Sequence, residues 1–194
     1  MKRKPYASPP TVRQLEAQLK GESDQRRRGR MARSTVSTLV VVAAAAVLVS
    51  RLLLPVLRIY GTSMFPTLTD GNIVVAVRNG SYERGDVIAF YYNNKILVKR
   101  VIGLPGEWVD IDAAGSVSID GEPLEEPYLT EKALGECSVD LPYQVPEGRY
   151  FVMGDHRGVS SDSRNSDVGC VAEEQIVGRL AFRVWPFGEI GTIE

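Results

Sequence analysis

Lys95-Ile96-Leu97-Val98-Lys99-Arg100-Val101-Ile102-Gly103-Leu104 follows the turn-forming pair Asn93-Asn94 and holds no proline, and no glycine before Gly103. Its β-branched and apolar residues predict a strand. Side chains alternate on a strand, so Leu97, Lys99 and Val101 share one face while Val98, Arg100 and Ile102 share the other. Two cations at the centre of an apolar strand therefore put at least one of them against a packed face. Two readings follow. In one, this is an edge strand with one solvated and one snorkelling cation. In the other, Lys99 is desolvated and its pKa falls from about 10.4 toward neutrality, which makes its amine a base.

Similar runs lie on either side. Asn72–Arg78 (NIVVAVR) and Asp86–Tyr92 (DVIAFYY) are rich in β-branched and aromatic residues, with Asn79-Gly80-Ser81 as a turn signal between them. Trp108–Ile111 and Val117–Ile119 flank Ala113-Ala114-Gly115-Ser116 and read as a hairpin. Tyr150–Met153 and Arg179–Val184 predict two further strands, and Glu173–Val177 a short helical turn. Residues 120–148 are rich in Gly, Pro and Glu and read as an irregular excursion. Short strands without a long amphipathic helix predict a mainly β, antiparallel domain, a sandwich or partly open barrel, over residues 58–194.

The N-terminal part differs in kind. Of 23 Lys/Arg and 24 Asp/Glu, residues 1–34 hold ten basic and three acidic, a balance of +7 against −8 for the rest. This basic stretch reads as a solvated, disordered tail. It abuts an apolar run and is not interleaved with aromatics, which argues against nucleic acid as a partner. From Thr35 to Leu57 the chain reads TVSTLVVVAAAAVLVSRLLLPVL. As a helix, 23 residues span about 34 Å, enough to cross a lipid bilayer. Arg51 interrupts the run beyond its midpoint, where a guanidinium can snorkel to the interface. A cleaved secretory leader is the competing reading. Bulky residues (LLLPVLRIY) follow the run in place of a small-x-small site, which favours an uncleaved single transmembrane helix at 35–57. The excess of basic residues before the run places the N-terminus in the cytoplasm and the body outside it.

Where the body begins, Gly61-Thr62-Ser63-Met64-Phe65-Pro66-Thr67-Leu68 holds a serine between a flexible glycine and a stiff proline. A serine hydroxyl is a weak nucleophile until a base removes its proton. His156 is the single histidine and Asp155 precedes it, so a Ser-His-Asp triad is conceivable, but adjacent side chains diverge. Lys99 is the better base. A third polar stretch, Gly154-Asp155-His156-Arg157-Gly158-Val159-Ser160-Ser161-Asp162-Ser163-Arg164, alternates acids and arginines that can brace a loop. With one histidine and no Cys-x-x-Cys, the composition argues against a metal site. Cys137 and Cys170 permit one disulfide if the body lies in an oxidising compartment, and spacing does not decide it.

Together these stretches resemble the bacterial type I signal peptidases, which are membrane-anchored Ser-Lys serine proteases. The match runs from about Ile59 to Val184. Ser63 to Leu68 is similar to the Ser-Met-x-Pro-Thr-Leu box, Gly85 to Ile88 to a Gly-Asp-Val-Ile element, Lys99 to Glu107 to the Lys-Arg-Val-Ile box, and Gly154 to Arg164 to the Gly-Asp-x-Arg box. The resemblance implies Ser63 as nucleophile, Lys99 as general base and Ser160 as a hydroxyl orienting the lysine. It also implies Asp162 and Arg164 as braces of that loop, and an ion pair between Asp155 and Arg100. Some family members carry a serine two positions before the nucleophile that helps hold the oxyanion. Gly61 stands there, as in the Gly-x-Ser-Met branch, which leaves the backbone to do more of that work. The implied substrate is the signal peptide of an exported preprotein, cut at the outer face of the cytoplasmic membrane without metal or cofactor. Ile59, Gly61, Met64, Leu68 and Val98 are candidate pocket residues from their nearness in sequence to Ser63 and Lys99. Rival readings are a Ser-Lys peptidase with a narrower client, a soluble self-cleaving repressor and an inert anchored scaffold.

Overall fold

The structure, a computed structural model, describes residues 33–47, 54–78 and 80–193. The chain divides into two units, Met1–Val49 and Ser50–Glu194. In the first, residues 33–47 are helical. Among the described residues no helix is long and apolar enough to cross a membrane. The basic tail lies outside the described residues except for its last two positions. The end of the expected span at 35–57 needs correcting, because Val56 and Leu57 are extended, not helical. Pro55 has no N–H to continue a helix, and its carbonyl accepts from Ala76 N–H (2.8 Å) beside the first strand pair.

Among its described residues the second unit holds twelve strands: β1 (Val56–Arg58), β2 (Ile73–Val77), β3 (Val87–Tyr92), β4 (Lys95–Gly103), β5 (Trp108–Ile111), β6 (Val117–Ile119), β7 (Glu122–Pro123), β8 (Tyr143–Gln144), β9 (Arg149–Met153), β10 (Val171–Ala172), β11 (Ile176–Trp185) and β12 (Gly191–Thr192). The large sheet runs β1-β2-β11-β3-β4-β9-β10, with β12 on β11, and the small one runs β7-β6-β5-β8. Every pairing is antiparallel, and neither sheet closes into a barrel among the described residues.

The predicted strands form with ends shifted by a residue or so, except that β11 starts three residues early and displaces part of the helical turn. That turn shrinks to a single 3-10 turn, Glu173–Gln175. The excursion is more ordered than its composition suggests. Asp120 and Gly121 both have positive φ (52° and 86°), the pairing that a tight two-residue hairpin turn demands, and they join β6 to β7. Tyr143–Gln144 then pairs with β5.

Apolar residues gather in three clusters. One lies beneath β1, β2 and β11 and includes Ile59, Met64, Leu68, Val74 and Leu180. The second fills the space around β3, β4 and β9, with Ile88, Phe90, Val101 and Val152. The third joins the small sheet to Ile102, Phe151 and Met153. Strand β4 contributes to all three, Val98 packing on the first, Leu97 and Val101 on the second and Ile102 on the third. Its pairing changes along its length. Lys95–Arg100 pairs with β3, whereas β9 joins the other edge only at Arg100, Val101 and Gly103. The first half of β4 thus keeps an open edge, and its exposure falls from Lys95 toward a fully buried second half. Among the described residues strand β1, at the end of the sheet, is open on its outer side as well.

Candidate active site

Ser63 sits on a compact turn after β1. Phe65 N–H donates to Thr62 O (3.1 Å) and Leu68 N–H to Met64 O (2.8 Å), while Met64 and Leu68 anchor the turn in the core. Gly61 leads into it with φ +87°, a left-handed conformation that costs other residues energy. Nothing lies within 4 Å of where a Cβ would stand on Gly61, so the backbone angle and not lack of space calls for glycine. Its N–H is fixed by Asp70 Oδ1 at 2.8 Å.

The turn faces β4. Lys99 Nζ donates to Ser63 Oγ at 2.8 Å, and Lys99 is only 3% exposed. The edge-strand reading, with one solvated and one snorkelling cation, therefore fails, because Lys99 and Arg100 are both buried. Burial lowers the Lys99 pKa below that of free lysine; Asp162 and Asp155 oppose that fall and Arg164 adds to it. Among the described residues Lys99 forms no ion pair with a carboxylate. A neutral amine in this position accepts the hydroxyl proton, reversing the direction of the hydrogen bond.

The nearby carboxylates are occupied by arginines. Asp155 takes Arg100 Nε at 2.9 Å and Nη2 at 2.8 Å, and it accepts from the Thr67 hydroxyl. Asp162 takes Arg164 Nε and Nη2, both at 2.8 Å, and accepts from Gly154 N–H at 2.9 Å. These are bidentate, fully buried pairs of the kind that fix geometry. They leave the triad without its acid, since Asp155 is engaged elsewhere. His156 meets the Thr62 carbonyl through Nδ1 (3.3 Å) and the Phe65 ring, and its backbone N–H donates to Ser63 O at 3.0 Å.

Ser160 departs from its expected bond. Its Oγ is buried without a hydrogen-bond partner, so it does not hold the Lys99 amine in this conformation. It stands beside Gly154, where a Cβ would come 2.2 Å from Ser160 Oγ and 2.5 Å from Ser63 O. That crowding makes Gly154 a close contact between the polar loop and Ser63.

A cleft of about 590 Å³ opens beside the pair, between the open edges of β1 and β4. Ile59, Gly61, Met64 and Val98 line it as expected, together with Leu57 and Ile96. Leu68 does not line it; it is fully buried in the core beneath the turn. The β4 wall, Asn94 to Leu97, was not among the sequence candidates. Also unforeseen were Glu126, in a buried pair with Arg157, and Tyr128, whose ring centre lies 3.9 Å from the Arg100 guanidinium carbon. A signal for them existed, in acids and an aromatic set within an otherwise turn-rich stretch opposite a loop with a spare arginine. Both cysteines are free thiols, and burial pushes the Cys170 thiol up to about 11.

A protein-family model described as signal peptidase, peptidase S26, matches residues 32–185. Signal peptidase IB of Staphylococcus aureus is 36% identical over 182 residues, covering 82% of this chain and 94% of its own. Signal peptidase I of Bacillus licheniformis is 36% identical over 168 residues, covering 80% and 89%. A crystal structure of a signal peptidase I from Enterococcus faecalis aligns with 34% identity over 52% of this chain and 97% of that one, at a TM-score of 0.45.

Proposed function

The chain belongs to the signal peptidase family, peptidase S26, and we propose that it is a membrane-bound serine endopeptidase that removes N-terminal signal peptides from exported preproteins. The observation that carries this reading is the 2.8 Å hydrogen bond between Ser63 Oγ and a buried Lys99 whose pKa is lowered by desolvation.

The preprotein lies extended between the open edges of β1 and β4, exchanging backbone hydrogen bonds with one or both. Its side chains alternate, so the first and third residues before the cut face the apolar wall of Leu57, Ile59 and Val98. A shallow apolar wall suits small residues at those two positions. Ser63 Oγ attacks the carbonyl carbon while Lys99 Nζ takes the hydroxyl proton. The negative charge passes to the carbonyl oxygen, toward the Ser63 backbone N–H, which donates to nothing among the described residues. Collapse breaks the C–N bond, and Lys99 returns its proton to the departing amine, the new N-terminus of the mature protein. Water then attacks the Ser63 ester, Lys99 takes a water proton, and the carboxylate leaves as Oγ is reprotonated.

The apolar run that begins at Thr35 and ends before β1 supports a single membrane anchor, and the basic residues before it support a cytoplasmic N-terminus with the peptidase unit outside. Incubating the full chain in detergent with a preprotein, with Ser63→Ala in parallel, and sequencing the new N-terminus tests the proposal. The expected result is one cut after a small-x-small sequence, absent from the variant. Cleavage that survives Ser63→Ala, or no cleavage of any preprotein by the unaltered chain, rules the reading out.

A further inference from the structure

Residues 122–145 supply nothing to the chemistry above, yet they provide the buried groups behind the nucleophile. The Glu126 carboxylate receives Arg157 Nη2 and Nη1, at 2.5 and 3.2 Å, and Arg157 Nε donates to Gly154 O at 3.1 Å. The Tyr128 hydroxyl donates to Glu126 Oε1 at 2.9 Å. Burial and the Glu126 charge hold its proton in place well above the usual phenol range. The same ring covers one face of the Arg100 guanidinium, whose edge is already taken by Asp155, Thr67 and the Gly85 carbonyl. One carboxylate and one ring therefore join the arginine of the polar loop to the arginine of β4.

From that junction the path to the nucleophile is short. Gly154, held by Arg157 through its carbonyl, lies against Ser63 O, and His156 N–H donates to the same oxygen at 3.0 Å. Asp155, held by Arg100, accepts from Thr67 on the nucleophile's own turn. The loop thus grips the turn at Ser63 and at Thr67, Glu126 grips the loop through Arg157, and Tyr128 ties Glu126 to Arg100. Apart from Ser63 itself, nothing in this chain of contacts lines the substrate cleft.

We propose that Glu126 and Tyr128 are positioning residues for the cleavage reaction, holding the Gly154–Arg157 turn against the Ser63 carbonyl so that Oγ stays aligned with Lys99 Nζ. This rests on the Ser63–Lys99 reading. Small displacements of reacting groups cost far more in rate than in substrate affinity, so the effect belongs in kcat. A merely structural role would lower the folded fraction and leave each folded molecule fully active.

The test uses the full chain in detergent with a preprotein shown to be cut by the unaltered enzyme and spared by Ser63→Ala. Tyr128→Leu, Tyr128→Phe and Glu126→Gln are compared at a temperature where circular dichroism shows each folded. Tyr128→Leu and Glu126→Gln are expected to lower kcat by about tenfold to a hundredfold with KM within about twofold. Hydrogen exchange at the His156 amide should quicken in both. Tyr128→Phe, which keeps the ring over Arg100, should recover most of the rate. Wild-type kcat in folded Tyr128→Leu, a loss in Tyr128→Phe as large as in Tyr128→Leu, or a rise in KM that accounts for the loss each overturns the proposal. If Tyr128→Leu does not fold, Glu126→Gln, which preserves shape, decides by the same kcat and exchange readings. Failure of the unaltered enzyme to cut any preprotein instead removes the enzymatic reading itself, so the two failures are distinct.

Discussion

The two flanks of Ser63 are built on opposite principles. On one side, β1 and the first half of β4 enclose an apolar cleft and leave their backbone edges open. On the other, the loop from Gly154 to Arg164 and the excursion behind it are tied by three buried Arg–carboxylate pairs. Replacing such pairs by apolar residues is often neutral or stabilising, so stability alone is a poor reason for three of them. What they provide is fixed direction, because a bidentate pair admits few geometries. The difference teaches a division of labour. Ser63 is braced from behind by ionic contacts and left accessible in front by strands with one unpaired edge, and Lys99 stands at the seam.

The seam should give the largest effect. Ser63→Ala and Lys99→Ala are each expected to lose at least about 10⁴-fold in preprotein cleavage while far-UV circular dichroism stays unchanged. Lys99→Arg should be equally inactive, since guanidinium keeps its proton. The rate of the unaltered enzyme should fall as pH drops through the Lys99 pKa, which burial lowers below that of free lysine, and His156→Ala should leave that limb in place. Near-normal turnover in folded Lys99→Ala would end the dyad.

Next come the braces. Asp155→Asn leaves Arg100 buried without its counter-charge and should lose about 3–5 kcal/mol in denaturant unfolding. An unchanged midpoint would show that the ionic flank is not a brace at all. Gly154→Ala forces a methyl into Ser160 Oγ and Ser63 O, and a loss of about a hundredfold in kcat with little change in KM is expected. On the open flank, Ile59→Ala should act on selectivity, admitting a larger residue before the cut and changing the ratio of kcat/KM between two preproteins by about tenfold. Equal effects of Gly154→Ala and Ile59→Ala on KM would erase the distinction between the flanks.

The smallest effect concerns stability and carries a definite sign. A buried lysine with a lowered folded pKa binds its proton less readily than in the unfolded chain, so stability falls as pH drops from 10.5 through the folded value. Lys99→Met should therefore be inactive yet raise the melting temperature at neutral pH, with the gain shrinking as pH approaches 10.5. A gain independent of pH would mean that the lysine is not strained by burial.

Much of this was legible along the chain because it is local. The alternation of Lys99 and Arg100 follows from strand geometry, and their burial from the apolar residues around them. Other features depend on which segments meet. Strands β1 and β10 are two or three residues long and exist only through partners well separated in sequence, so no local pattern marks them. Leu68 shows the limit of nearness in sequence, since the turn that presents Ser63 is the same turn that sends Leu68 into the core. The β4 wall of the cleft depends on β9 pairing only with the second half of the strand. The Asp120-Gly121 hairpin, by contrast, carried a readable turn signal inside the stretch taken as irregular.

The half-open edge of β4 also bears on how a catalytic cycle ends. On the proposed reading, a preprotein seated between β1 and β4 becomes, for a time, a strand of the sheet, and cutting it at Ser63 shortens that strand only at one end. The backbone bonds on the signal-peptide side are the same before and after the chemistry. Release of the spent peptide then means unzipping a strand from the sheet, a step that hydrolysis does nothing to ease, and the mature protein is free to depart first.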